Sequence, residues 1–166
     1  FLPPFAVDAS RHLHLLGTDA FGRDLFTRLM LAGRVSLLVG FAGAVLAGLV
    51  GIAVGAGAAW AGGAADRAAM AVSDALLAVP RLVLLLVCAS LWSPGIVMVV
   101  LVLMGTGWMG VARLVRAEVL GVRAQPYVEA AQALGARPRR VLWRHIMPNA
   151  LRPATVAIAL GVGSAI

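Results

Sequence analysis

From Val35 to Ala65 the chain carries no charged residue, and a run of that kind has few places to fold. About 20 apolar residues form a helix long enough to cross the hydrocarbon core of a bilayer, so a first membrane span is expected from Val35 to Trp60. Its Gly and Ala content would weaken a helix in water, but in lipid it lets helix backbones approach closely. Gly43, Ala47, Gly51 and Gly55 recur every fourth residue, broadened by Ala44 and Gly48, which predicts a face packed against a neighbouring helix. Composition agrees: 61% of residues are hydrophobic and 13% charged, with a mean hydropathy of +0.96, against roughly 45–50% and 25% in soluble domains. A soluble chain of this size buries only about two thirds of its surface and would need more polar residues to cover the rest.

Beyond a polar break at Gly62 to Asp74, apolar sequence resumes, predicting a second span over Met70 to Leu91. Ser93, Pro94 and Gly95 mark a turn, and a third span is expected over Ile96 to Ala112. A further span begins near Leu151. The chain starts at Phe1 without Met and stops at Ile166 inside an apolar run, so both ends are expected to be cut. The expected class is therefore all-α, a polytopic membrane helical bundle truncated at both ends, with segment 1–34 ahead of a transmembrane region, 35–166, and a polar loop at 113–150.

All 14 basic residues are Arg, and the net charge is +7. Their position argues against nucleic acid as the partner. Arg113, Arg116, Arg123, Arg137, Arg139, Arg140, Arg144 and Arg152 fall in one stretch with only Glu118 and Glu129, the pattern of a cytoplasmic face beside apolar spans. Segment 1–34, with four Arg and three Asp, is nearly neutral and is expected outside. The lone Cys88 sits in an apolar run, where it packs. His12, His14 and His145 have no nearby Cys or paired carboxylates, so no metal site is expected. The absence of Lys removes any Gly-rich phosphate loop of the Walker type. No catalytic constellation is present, and any ATP and magnesium would be bound by another chain.

Within 121–148 the pattern changes to two short amphipathic helices. Pro126 suits a first turn, Tyr127, Ala130 or Ala131 and Leu134 share a face, and Gly135 suits a C-terminal cap in a left-handed turn. Pro138 starts the second helix, with Val141, Leu142, His145 and Ile146 to one side, and Pro148 is expected to end it. Glu129, in the first turn, favours the positive end of the helix dipole, can pair with arginines and is expected to be structural within the loop.

The segment EAAQALG, Glu129 to Gly135, followed by RHIMPN, Arg144 to Asn149, resembles the EAA loop of ABC importer permeases. The block His14 to Gly40, HLLGTDAFGRDLFTRLMLAGRVSLLVG, and GGAADRAAMAVSDALLAVP, Gly62 to Pro80, resemble the C-type permease of the branch that imports dipeptides, oligopeptides and nickel. The resemblance implies about six helices per permease, a second permease subunit, two ATP-binding subunits and an extracytoplasmic binding protein, in a prokaryotic inner membrane. It also implies that Tyr127, Glu129, Ala130, Ala131, Leu134, Gly135 and Arg137 belong to the element that couples to the ATPase. Glutathione or nickel remains open as cargo within the same branch.

Two other features have double readings. Gly17, Thr18, Asp19, Gly22, Arg23 and Asp24 are either a helix start, capped by Thr18 or Asp19 with a local Asp–Arg pair, or an outer-mouth contact with the partner permease or binding protein. Arg81 follows Pro80 within an apolar span; a charge there faces a path and meets a peptide carboxylate, or snorkels to the interface. A pore or scaffold subunit not driven by ATP, its basic loop resting on anionic lipid, is the rival class.

Overall fold

In a computed structural model, which describes residues 2–7, 13–93 and 95–165, the chain is an all-α membrane bundle with one small two-stranded ribbon. It divides into two compact units, Phe1–Leu38 and Val39–Ile166.

In the first unit, β1 (Ala6–Val7) pairs antiparallel with β2 (Leu13–His14). A tight loop then leads into α1, Leu25–Ala61, whose 37 residues extend about 55 Å at 1.5 Å per residue. The helix begins ten residues before the expected span. Asp24 accepts the Thr27 backbone N–H at 2.7 Å and its hydroxyl at 2.6 Å, so the N-terminal cap is Asp24 and not Thr18 or Asp19.

The second unit departs from expectation at four breaks. The polar interval 62–74 is not a loop: Gly62 and Gly63, both at positive φ, turn the chain at once into α2, Gly63–Leu77. Only glycine adopts two such conformations in succession without strain. The second span is likewise not straight, because α2 and α3, Arg81–Leu91, meet at 78°. Pro80 lacks an N–H and holds the junction extended, with ψ 124°, so the helix cannot continue through it. α4, Ile96–Arg123, runs eleven residues past Ala112, carrying Arg113, Arg116 and Arg123 on a helix and not in a loop. Among the described residues two helices, α1 and α4, are long and apolar enough to cross a membrane, and the bent pair α2–α3 makes a third if it forms one broken span.

The fourth break lies at Pro148, which does not stop its helix. α5 (Pro126–Ala133) and α6 (Pro138–Val141) are followed by a π-helical turn, Leu142–Ile146, that runs directly into α7, Met147–Ala165. Met147 N–H reaches back five residues to Leu142 O. That wide turn removes the crowding that a proline ring imposes on the carbonyl four residues earlier. Asn149 Nδ2 donates to His145 O at 2.9 Å, satisfying an acceptor at the irregular turn.

The small-residue stripe packs as its spacing predicts. Gly43, Ala47, Gly51 and Gly55 are all buried. A Cβ at Gly51 would lie 2.7 Å from Trp108 O and from Val111 Cβ, and one at Gly55 would collide with the backbone of Ala112. α1 and α4 thus run side by side in the same direction, while Gly48 receives the Ile158 side chain from α7. α7 also packs along α4.

Candidate coupling surface and central cavity

The basic end of the second unit is built on side chains from six segments. Ala59 of α1, Val115 and Val119 of α4, Val128 of α5, Val141 of α6, Ile146 of the π turn and Ala150 of α7 form one buried cluster. Val128, Val141 and Ile146 are wholly inaccessible. α5 is too short to persist alone in water. Its burial of Val128 therefore decides its position, and this anchor was missed when the helix was read by its opposite face. An isolated valine between Tyr127 and Glu129 gave no periodic signal.

The face expected to dock is exposed. Leu134 is 89% accessible and Tyr127 46%, Ala130 is exposed and Ala131 half-buried. Gly135, at φ 81°, closes α5 as expected. Gly135 N–H donates to Gln132 O at 2.9 Å and Ala136 N–H to Ala131 O at 3.1 Å, the paired bonds of a Schellman ending, and Ala136 then packs against the buried cluster. Arg137 follows as the cap of α6, its carbonyl accepting from Arg140 and Val141. Glu129 sits in the first turn of α5, and no arginine lies within ion-pair distance of it among the described residues; the nearby arginines that have partners bond to α2. Tyr127 Oη receives only a long contact, 3.4 Å, from Asn149 Nδ2.

Those partners on α2 were hidden in the sequence. Arg116 grips Asp66 through two bonds, Nε–Oδ1 at 2.5 Å and Nη2–Oδ2 at 2.6 Å, and Arg113 reaches Asp74 at 3.2 Å. A bidentate guanidinium–carboxylate pair fixes orientation as well as distance. Arg123 lies over the Trp60 ring, 5.8 Å from its centroid. The signal that would have found them is the short spacing of Arg113 and Arg116, one turn apart, opposite two acidic residues about two turns apart.

At the other unit's loop, Gly17 and Gly22 have positive φ. Asp19 Oδ1 accepts the backbone N–H groups of Phe21 and Arg23, and Oδ2 pairs with Arg23 and Arg28. The Arg23 backbone bond first, then those of Phe21 and the two guanidinium groups, hold the Asp19 carboxyl well below the usual range. Thr18 bridges to Asp24 and its hydroxyl accepts Leu2 N–H at 2.8 Å. Asp24 also contacts His14 Nδ1 at 2.9 Å. The local Asp–Arg pair of the sequence reading is present; His12 lies outside the described residues.

Arg81 opens α3 and lines a cavity of about 200 Å³ together with small residues of α1, α4 and α7, among them Gly43, Ala47, Gly107, Ala157 and Gly161. A larger apolar hollow of about 560 Å³ lies between α3 and α4, bounded by Leu84, Cys88, Trp92, Val97, Leu101 and Gly105. No group of three or more His, Cys, Asp or Glu side chains placed to hold a metal occurs among the described residues.

The chain is a helical membrane unit with a short helix seated on its basic end, and residues 29–166 match the family described as binding-protein-dependent transport system inner membrane component. The chain belongs to that family. It is 39% identical over 153 residues to the oligopeptide transport system permease protein OppC of Bacillus subtilis strain 168, covering 92% of this chain and 50% of that protein. With the dipeptide transport system permease protein DppC of the same organism it shares 35% identity, covering 92% and 48%, and with OppC of Haemophilus influenzae 35%, covering 90% and 48%. The chain spans about half the length of these relatives.

Proposed function

We propose that this chain is the transmembrane core of a permease subunit in an ATP-driven importer of short peptides, and that α5 is the element on which a separate ATP-binding subunit pushes. The observation that carries the reading is the construction of α5: anchored underneath by the inaccessible Val128, ended by Gly135, and presenting Tyr127, Ala130 and Leu134 outward. A face that is apolar, exposed and held on a rigid base suits a subunit contact. The names of the relatives, oligopeptide and dipeptide permeases, support peptides as the cargo.

On this reading the assembly contains a second permease subunit, two ATP-binding subunits that hold ATP and magnesium, an extracytoplasmic binding protein and surrounding lipid. The arginine-rich end faces the cytoplasm of a prokaryotic cell and segment 1–34 lies outside, as the positive-inside rule favours. The outer loop Gly17 to Asp24 then stands where the binding protein or partner permease would meet it. An impermeant thiol reagent applied to whole cells should label a cysteine placed at Ser93 and spare one at Arg139; the reverse pattern inverts the orientation.

Coupling is tested in the purified complex. Leu134→Asp puts a charge on the exposed face without disturbing the base, and should lower recovery of the ATP-binding subunit. A Cβ at Gly135 meets no atom within 4 Å, so the main effect of Gly135→Val is to force a β-branched residue to positive φ, a strain of about 1–2 kcal/mol. It should keep the ATPase bound while reducing the stimulation of ATP hydrolysis by loaded binding protein. Normal recovery and normal stimulation in both variants would remove α5 as the coupling element.

A further inference from the structure

We propose that the cavity lined by Arg81 is a carboxylate-binding site on the transport path, taking the C-terminal carboxylate of a peptide; this rests on the reading of the chain as a peptide importer subunit. The argument begins with depth. Gly43 is the middle residue of α1 and Gly107 lies near the middle of α4, and both line the cavity with Arg81. The arginine therefore sits far along the spans from the basic end. A cation at such depth is costly and is kept where it faces a cavity or meets an anion.

No carboxylate within ion-pair distance neutralises Arg81 among the described residues, whereas Arg113 and Arg116 both have aspartate partners. The one other side chain on the cavity wall with a hydroxyl, Ser164, already donates to Gly161 O at 3.0 Å. The rest of the wall is apolar. The break at Pro80 is what delivers the charge: a straight helix would carry residue 81 past as one position on a continuous face, but the 78° bend makes it the first residue of a new helix, whose positive end reinforces the guanidinium.

Small residues line the room. α1 and α4 approach so closely beside it that a Cβ on Gly107 would come within 2.9 Å of Ala47 Cβ. At about 200 Å³ the space is below the roughly 300–1,000 Å³ of pockets that enclose a whole small ligand. It fits one end of a molecule. Side chains differ from peptide to peptide, but a linear peptide's terminal carboxylate is constant, and an arginine recognises it by a paired, planar contact.

The test uses the complete transporter, with all its subunits and binding protein, in proteoliposomes. Transport of a tripeptide with a free C-terminus is compared with that of its C-terminal amide, each at saturation of the binding protein, whose affinity for both is measured separately. The wild type should move the free acid roughly tenfold faster, the scale of one charged hydrogen-bonded contact. Arg81→Gln should bring the ratio near one by slowing the acid alone, and Arg81→Lys should keep part of the preference. Equal wild-type rates for acid and amide overturn the site without needing any variant. So does an Arg81→Gln loss that falls equally on both, which would assign the arginine to a lipid phosphate or a partner's acidic group. Failure of the wild type to move either peptide instead overturns the peptide-importer reading on which the site rests.

Discussion

The two halves of α4 share one helix but differ in what covers them: the first packs α1 on one face and leaves another open, while the second helps to close a core. Ala112, Val115 and Val119 in its second half are wholly inaccessible, while in its first half Val102 and Leu103 are buried but Val97 and Leu101 are 72% and 54% exposed, and no residue of the adjoining α3 is buried. The basic end closes a core from its own chain; the other end leaves apolar surface for lipid or another helix. The difference shows where this unit is rigid by itself. In lipid an exposed leucine loses nothing, because hydrocarbon replaces hydrocarbon, so the open end needs no core. The loop end must hold α5 in place beside water, and does so with a packed cluster.

The most damaging way to break this contrast is Val128→Asp. An unpaired carboxylate forced into the inaccessible centre of the loop core should cost on the order of 3–5 kcal/mol, as when a buried ion pair loses one partner. α5 should detach, and trypsin should cut after Arg139 and Arg140 much faster than in the wild type. Leu134→Asp, at the C-terminal cap of the same helix but 89% exposed, should leave the digestion rate unchanged. Equal digestion of both variants would mean that Val128 does not anchor the loop.

A milder pair sharpens the comparison. Val119→Ala removes two methyl groups from a fully buried site and should destabilise the purified protein by about 1–3 kcal/mol, read as a lower melting temperature in detergent. Leu86→Ala removes more carbon from a site 72% exposed and should change melting little. A larger shift for Leu86→Ala would show that α3 is packed against a partner helix, and would turn the open end into an interface.

What the sequence made legible follows the same division. The Gly43 to Gly55 stripe and the α5–Gly135 ending were readable because each is a local pattern with one physical meaning: small residues for close packing, and glycine for positive φ. The extension of α4 was not readable, because Arg113 and Arg116 look like loop residues until Asp66 and Asp74 are brought opposite them by the Gly62–Gly63 turn. Pro148 misled for a related reason. Its helix-breaking effect is general, but the π turn at Leu142–Ile146 absorbs it, and a wide turn has no sequence signature. Arg81 was visible as an anomaly; the cavity beside it required the fold.

The smallest expected effect lies where neither core nor lipid surrounds the chain. In the outer loop, Asp24 accepts from Thr27 and contacts His14, and these bonds, the Thr27 hydroxyl foremost, lower its carboxyl from 3.8 to about 2. A depressed carboxylate contributes stability that is present above its unfolded value and is lost as pH falls through the folded one. The contribution of the Asp24 carboxylate to the start of α1 should therefore be fully present down to about pH 4 and be lost between about 4 and 2. Asp19, held low by Arg23, Phe21 and Arg28, should keep the loop closed over the same range. The measurement is hydrogen exchange at the Thr27 amide, corrected for the intrinsic pH dependence of exchange. Protection should fall as pH drops below about 4. Asp24→Ala should lose protection already at neutral pH and show no acid step; an acid step of the same size in that variant would mean that another group controls the cap.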